Sequence, residues 1–249
     1  MHTVGIFLAA LAAFAAEPSG NGDTVASPQQ LDYFVHAALL NAGISPAPLC
    51  TDETFLRRVY LDTVGKLPKL GEVTAFIKDT NPDKRKQCIE KLLRSRSFAD
   101  YWSMKWCDIL RVKSEFPINL WPNAVQGYHR WIHNAISTNM PYDDFARALL
   151  TSSGSNFRVP PVNFYRAIQG KTPGSIASAA ALTFMGVRIE NWSDDKRADM
   201  EAFFSRILYK PTDEWKEEIV CLDPAILEPL NAVLPDGTAV TIPVGQDPR

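Results

Sequence analysis

Residues 51–68 read TDETFLRRVYLDTVGKLP and contain the start, the apolar face and the end of one helix. Thr51 and Asp52 suit a helix start, because their side-chain oxygens accept hydrogen bonds from the unpaired backbone N–H groups of a first turn. Apolar residues then recur at helical spacing, at Phe55, Leu56, Val59 and Tyr60. Gly65 favours a helix end ahead of a turn at Leu67-Pro68. The stretch therefore predicts a helix with one buried face.

Helix signals of the same kind follow one another along most of the chain. Residues suited to start a helix precede further periodic apolar stretches, at Ser27, Asn81-Pro82, Ser97 and Pro141. A short helix is predicted near residues 71–78, and a separate helix is predicted to end near Ser137. Two more are predicted over the small residues Ile176–Met185 and over the apolar series from Met200 to Leu208. The sequence thus predicts a mainly α fold, an irregular multi-helix bundle, over residues 27–211.

The pattern changes from Thr212 onward. Residues Glu214–Val220 alternate weakly between polar and apolar, and Ala239–Ile242 follow a turn at Pro235-Asp236-Gly237. We therefore predict a small C-terminal β-hairpin or ribbon, which forms a tail over residues 212–249.

The N-terminal residues 4–16, VGIFLAALAAFAA, form an uncharged apolar run. A helix of this length spans about 20 Å at roughly 1.5 Å per residue, against about 30 Å for the hydrocarbon core of a membrane. An A-x-A cleavage site ends at Ala15. We interpret residues 1–16 as a signal peptide cut near Ala15 or Ala16, followed by a polar spacer over residues 17–26; a buried N-terminal helix is the alternative. The prediction is a periplasmic or secreted protein without a transmembrane anchor.

Composition excludes several classes of protein. Of the 249 residues, 46% are apolar and 22% are charged, which is typical of a folded globular chain rather than a disordered one. Lys and Arg total 26 against 28 Asp and Glu, so a net charge of −2 provides no basic field for nucleic acid. The chain has four cysteines, at Cys50, Cys88, Cys107 and Cys221. They allow disulfides in an exported chain or buried thiols, whereas the lack of C-x-x-C spacing excludes a zinc ribbon.

His129 and His133 are the candidate metal ligands of the sequence. Their spacing of four residues places both imidazoles on one face of a helix, where they can share a metal ion or flank a haem. A zinc metalloprotease would carry Glu directly after the first His, and Arg130 stands there instead. The alternative is a hydrogen-bonded core histidine, because His129 shares its face with Val125 and Ile132.

No catalytic constellation stands out in the sequence. Asp143-Asp144 and Glu217-Glu218 are adjacent pairs whose side chains point in different directions on a helix or a strand, so neither pair forms an acid–base dyad. The Asp pair instead suits the first turn of the helix that follows Pro141. The sequence has neither a phosphate-binding glycine motif nor a serine-nucleophile motif. We therefore do not predict an enzyme.

The sequence contains six tryptophans, which are many for a chain of this length. Trp102 and Trp106 are one helical turn apart, which favours a position in the helix core. Trp121 and Trp192 stand in loop-like surroundings, so they are the candidates for an exposed ligand surface.

Several separated motifs occur in order between residues 50 and 220. They are FLRRVYLDTVGKLP at 55–68, PDKR at 82–85, FADYW at 98–102, KW at 105–106, NMPYD at 139–143 and FMGVR at 184–188. In these motifs the chain resembles the planctomycete cytochrome-associated family catalogued as domain of unknown function 1549. The resemblance implies an exported protein of planctomycete- or verrucomicrobia-type bacteria. It also implies a frequent cytochrome c-like domain upstream and a companion domain, catalogued as domain of unknown function 1553, downstream.

The chain departs from many of these relatives at one motif. They carry a C-x-x-C-H haem-attachment motif shortly after the segment that matches residues 186–188. This chain has IENWS at residues 189–193 instead, so it resembles a haem-less branch, and covalent haem is not expected. Residues 245–249 resemble the junction ahead of the companion domain, which would then be missing.

These features favour one hypothesis and keep a second. The first is a non-catalytic binding or scaffold module in a bacterial envelope assembly, linked to cytochrome-type or polysaccharide-utilisation systems. Its expected partners are envelope proteins or the companion domain, and no cofactor is predicted. The second is a metal- or haem-binding redox or hydrolytic enzyme that uses His129 and His133.

Overall fold

The computed structural model of the protein describes residues 28–249, so the predicted signal peptide (1–16) and polar spacer (17–26) lie outside the described residues. The chain divides between Cys50 and Thr51 into two compact units, which are described separately. In the first unit, α1 spans Pro28–Asn41. The second unit contains all the elements described below. None of the helices in the described range is both long and apolar enough to cross a membrane.

The first half of the second unit consists of helices. They are α2 (Asp52–Val64), α3 (Leu70–Lys78), α4 (Lys84–Leu93), α5 (Arg96–Ile109), α6 (Pro122–Ser137) and α7 (Tyr142–Leu150). The prediction for residues 51–68 is confirmed, because the Thr51 hydroxyl caps α2 and Gly65 ends it with a φ of 67°. The predicted cap at Ser97 is wrong by two residues, since the hydroxyl of Ser95 caps α5.

The second half combines short helices with strands. In chain order it contains β1 (Gly154–Ser155), a 3-10 turn (Pro160–Val162), α8 (Asn163–Ala167), α9 (Pro173–Ala180), a π turn (Ala181–Met185), a 3-10 turn (Ile189–Asn191), α10 (Asp194–Ala202), β2 (Ile207–Pro211), β3 (Glu218–Leu222), β4 (Leu230–Val233) and β5 (Ala239–Ile242). The strands form an antiparallel sheet in the order β1-β3-β2 and a separate β4–β5 hairpin. The predicted mainly α fold with small β elements is confirmed.

The helix predicted from Met200 to Leu208 is wrong at its C-terminal end. α10 stops at Ala202, and Ile207 begins β2, where Leu208 pairs with Cys221 of β3. A short apolar run fits a helix or a strand equally well, so a distant partner strand decides between them. Strands are therefore not confined to the predicted tail.

The buried apolar side chains form two clusters in the second unit. The larger cluster lies mainly among α6, α7, α8 and α9, and its fully buried members include Tyr128, Ile132, Leu149, Val162 and Tyr165. The smaller cluster joins α2, α3 and α4. Trp106 packs against the larger cluster as predicted, with its ring centre 5.0 Å from that of Phe145. Trp102 is 37% exposed, so its predicted core position is wrong; its indole donates to the Thr63 carbonyl.

Glu218 connects the sheet to the helical core although it is charged and only 7% exposed. Its carboxylate forms ion pairs with Arg166 at 2.9 Å and Lys171 at 2.5 Å. Its backbone N–H donates to the side-chain oxygen of buried Asn156 at 2.9 Å. The amide of buried Asn163 in turn donates to the Asn156 carbonyl at 2.8 Å. These bonds fix β3 against α8 and against the loop that follows β1.

Candidate functional site

Three aromatic side chains from separate loops meet at the surface. The ring of Trp121 stacks against Phe157, with 6.2 Å between ring centres, and meets Trp215 edge-on at 5.3 Å. Trp215 is 70% exposed and Phe157 is 36% exposed, whereas Trp121 is half-buried between them. We call Trp121, Phe157 and Trp215 the aromatic platform. It contains one of the two tryptophans that the sequence suggested for a ligand surface.

Hydrogen bonds hold the three loops of the aromatic platform together. Lys216, next to Trp215, donates from Nζ to the side-chain oxygen of Asn119 at 2.7 Å. The amide of Asn156, next to Phe157, donates to the Lys216 carbonyl at 3.3 Å. Both Asn119 and Lys216 have left-handed backbones, with φ of 58° and 62°. Asparagine adopts such an angle readily, but lysine does so only where surrounding contacts over-determine it, so the hydrogen bonds at Lys216 hold its loop in this arrangement.

A hydrogen-bonded carboxylate, that of Glu217, follows Trp215 by two residues in the chain. Glu217 accepts hydrogen bonds from the hydroxyls of Ser155 and Thr212. These two hydroxyls lower the pKa of the Glu217 carboxyl, so the group is ionised at neutral pH. Glu217 is half-buried, whereas the neighbouring Glu218 is buried and pairs with Arg166 and Lys171 instead.

The aromatic platform combines partly exposed rings with hydrogen-bonded loops. Large aromatic side chains supply contact area at little cost in conformational entropy, and their faces attract polarised C–H groups. Contiguous exposed apolar surface is typical of sites that bind a partner or ligand. The aromatic platform is thus a contiguous, partly exposed apolar patch whose loops are hydrogen-bonded to one another.

The second tryptophan suggested for a ligand surface lies elsewhere. Trp192 precedes α10, packs partly against the larger core cluster and carries the ammonium of Lys196 4.5 Å from its ring centre. Within the described part of the chain, it makes none of the ring contacts of the aromatic platform. The structure thus places Trp121 and Trp192 in two different surroundings.

The histidine pair lies on α6, as predicted. The ring centres of His129 and His133 are 6.3 Å apart, and Nε2 of His133 lies 3.0 Å from the Asp100 carboxylate. His129 is exposed, so the alternative of a core histidine is wrong for that residue. Across residues 28–249, no group of three or more His, Cys, Asp or Glu side chains is arranged to hold a metal ion.

The cysteines of the second unit are thiols. Cys88, Cys107 and Cys221 form no disulfide within the described residues. Burial raises the pKa of the Cys107 thiol to about 11, which keeps it protonated at neutral pH. A protonated thiol is a poor nucleophile and a poor metal ligand, so Cys107 has a packing role.

Sequence reasoning missed two of the three platform residues. Phe157 lies in a loop after α7 that shows no hydrophobic periodicity. Trp215 lies in a stretch whose weak polar–apolar alternation was interpreted only as a sign of a strand. The available signal was composition: Trp215 is flanked by charged residues on both sides, which is typical of an exposed position.

Comparison with known proteins identifies a family to which no function is assigned. Residues 30–210 match the PSCyt2 family, which is described as a protein of unknown function (DUF1549). No curated protein and no solved structure matches the chain. The matched region contains Trp121, Phe157 and Trp192, the histidine pair and all helices from α2 to α10. Because the match spans well over half of the chain and agrees with the motifs of the sequence, this protein belongs to the PSCyt2 (DUF1549) family.

Proposed function

We propose that the protein is a non-catalytic binding module of a bacterial envelope assembly, and that the aromatic platform is its binding surface. The supporting observation is that the Trp215 side chain is 70% exposed, although its ring makes an edge-on contact with Trp121. A tryptophan that served only the core would be covered, because burying such a ring removes a large apolar area from water.

The proposed ligand is a polysaccharide of the envelope. The C–H groups on one face of a pyranose ring match the face of an indole, and hydroxyl groups at the ring edge need polar partners such as the Glu217 carboxylate. Polysaccharide use is also one of the two systems with which the sequence resemblance links such proteins. The neutral balance of charge in the chain agrees with an uncharged or weakly charged glycan.

We expect the Trp215→Ala variant to bind envelope polysaccharide at least about tenfold more weakly than the natural protein, equivalent to about 1.4 kcal/mol. The variant removes the most exposed stacking face and leaves the core unchanged. The measurement is co-sedimentation with purified cell-wall sacculi and with other insoluble polysaccharides of the bacterial envelope, followed by calorimetry on the soluble oligosaccharide of any glycan that binds.

Trp102→Ala is the matched control, because Trp102 is a partly exposed tryptophan outside the aromatic platform. It should bind as well as the natural protein once circular dichroism shows both variants folded. Failure of the natural protein to bind any of these glycans, or equal binding by the Trp215 and Trp102 variants, would contradict the proposal.

A metal site at His129 and His133 is a second candidate, favoured by one contact. Ring nitrogens of metal-bound histidines commonly pair with a carboxylate on the side away from the metal, and Asp100 occupies that place beside His133. The other ring nitrogen of His133 would then bind the metal together with His129 one turn away.

An elemental metal inventory of the mature protein, purified without chelators or a His tag, tests this second candidate. Stoichiometric iron or zinc that disappears in His133→Ala and persists in His36→Ala would support it. His36 is an exposed histidine on α1, so its removal controls for adventitious binding by imidazole. Folded protein with no bound metal, or equal loss in the two variants, would refute the site.

A further inference from the structure

A cavity of about 430 Å³ lies between the start of α10 and the turn of the β4–β5 hairpin. Trp192 and the carboxylates of Asp195 and Asp199 line it on the helix side, and Asp236 lines it on the hairpin side. No residue of the aromatic platform and neither residue of the histidine pair is among its lining residues. A ligand at this cavity therefore goes beyond the proposed function.

The Trp192 ring at this cavity already receives a cation from the chain itself. Nζ of Lys196 lies 4.5 Å from the ring centre, within the roughly 6 Å over which cation–π attraction acts. Lys196 is exposed and has a flexible four-carbon side chain, so its ammonium can leave the ring by a change of rotamer. A ligand ammonium can then occupy the same position.

The charges that line the cavity favour a cationic ligand. Asp195, Asp199 and Asp236 supply three carboxylates, against the single ammonium of Lys196. The hydrogen bond from the backbone N–H of Thr238 lowers the pKa of the Asp236 carboxyl, so the group is charged at neutral pH. The ion pairs in the described part of the chain do not include Asp195 or Asp199. Among the residues that line the cavity, Lys196 alone carries an opposing charge.

The rest of the wall is apolar. Met200 contributes from α10, and Val233, Leu234 and Pro235 contribute from the hairpin. Such a wall can pack against a hydrocarbon chain. It supplies no oxygen ligands on its side of the cavity, and a small hydrated metal ion needs oxygen ligands all around it. The ligand therefore combines an ammonium group with methylene groups.

We propose that this cavity binds a small aliphatic diamine. One ammonium lies over the Trp192 ring, in the place of the Lys196 ammonium and near the carboxylates of Asp195 and Asp199. The methylene chain then lies against Met200 and Leu234, and the second ammonium lies near the Asp236 carboxylate on the hairpin side. The Lys196 ammonium and the ligand ammonium therefore compete for the Trp192 ring. Lys196 must leave the ring before the ligand binds.

Calorimetric titration of the full chain with putrescine tests the proposal, with 1,4-butanediol as an uncharged probe of the same chain length. We expect saturable binding of one putrescine per chain and at least about tenfold weaker binding of butanediol, a difference of about 1.4 kcal/mol. Absence of putrescine binding, or equal binding of the two probes, would overturn the proposal.

Two variants locate the binding and one controls for charge. Asp199→Asn should weaken putrescine binding about fivefold, close to the largest effect of one partly exposed ion pair. Asp213→Asn makes the same charge change at an exposed residue outside the cavity and should leave the affinity unchanged. Lys196→Met should strengthen binding, because it removes both the competing ammonium and a like charge. Equal affinities of the Asp199 and Asp213 variants, or weaker binding by Lys196→Met, would overturn the site.

Discussion

Replacing Glu218 with Gln should lower the free energy of unfolding by about 3 kcal/mol, the lower end of the range for breaking a buried ion pair. The variant leaves the guanidinium of Arg166 without its carboxylate partner, although its side chain is only 19% exposed. Lys171 loses the same partner, but its side chain is half exposed, so water compensates for part of that loss. Urea unfolding followed by circular dichroism measures the change.

Glu217→Gln is the matched control, because it makes the same chemical change at the neighbouring residue. Ser155 and Thr212 donate to the two different oxygens of Glu217; in the amide, one hydroxyl can still donate to the oxygen and the other can turn to accept from the NH2 group. We expect a clearly smaller loss of stability in this variant. Equal losses at the two positions would show that burial of the Glu218 ion pairs does not stabilise the junction between sheet and helices.

Replacing Gly65 with Ala should lower the free energy of unfolding by about 2–4 kcal/mol, the sum of two costs. A φ of 67° is left-handed, which costs an alanine roughly 1 kcal/mol. In addition, a Cβ built on Gly65 would overlap the ring of Tyr101, so that ring would have to move. Overpacking of this kind costs about 1–3 kcal/mol. The measurement is again urea unfolding at equilibrium.

Gly186→Ala separates the two costs. Gly186 also has a φ of 67°, but nothing lies within 4 Å of a Cβ built there. This variant should therefore lose only the backbone cost of roughly 1 kcal/mol. A loss as large as that of Gly65→Ala would mean that contact with Tyr101 does not constrain the turn after α2.

The helices of this protein were predictable because their signals are local. Thr51 and Gly65 act within a few residues of the helix that they bound, and the apolar series between them repeats with the helical period. The order of helices and the mainly α fold followed from the same signals. The family match over residues 30–210 agrees with the motifs from which the resemblance was drawn.

The strands were harder to predict because their partners are distant. Ile207 and Leu208 continue an apolar series that fits a helix, and only pairing with Leu222 and Cys221 makes them β2. The two residues of β1 carry no strand signal of their own and exist as a strand through β3. Burial of Glu218 likewise depends on Arg166, which stands on a separate helix.

The sequence by itself indicated where most of the helices lie, which family the chain resembles, and that Trp121 stands in a loop-like setting rather than in the helix core. Tertiary structure alone decided that Trp215 and Phe157 join Trp121, whereas Trp192 lines a separate cavity with Asp236. The physical reason is the distance along the chain over which each kind of interaction acts. Caps and helical periodicity act within one or two turns, but a surface built from three loops forms only once the packed core and its buried ion pairs have brought those loops together.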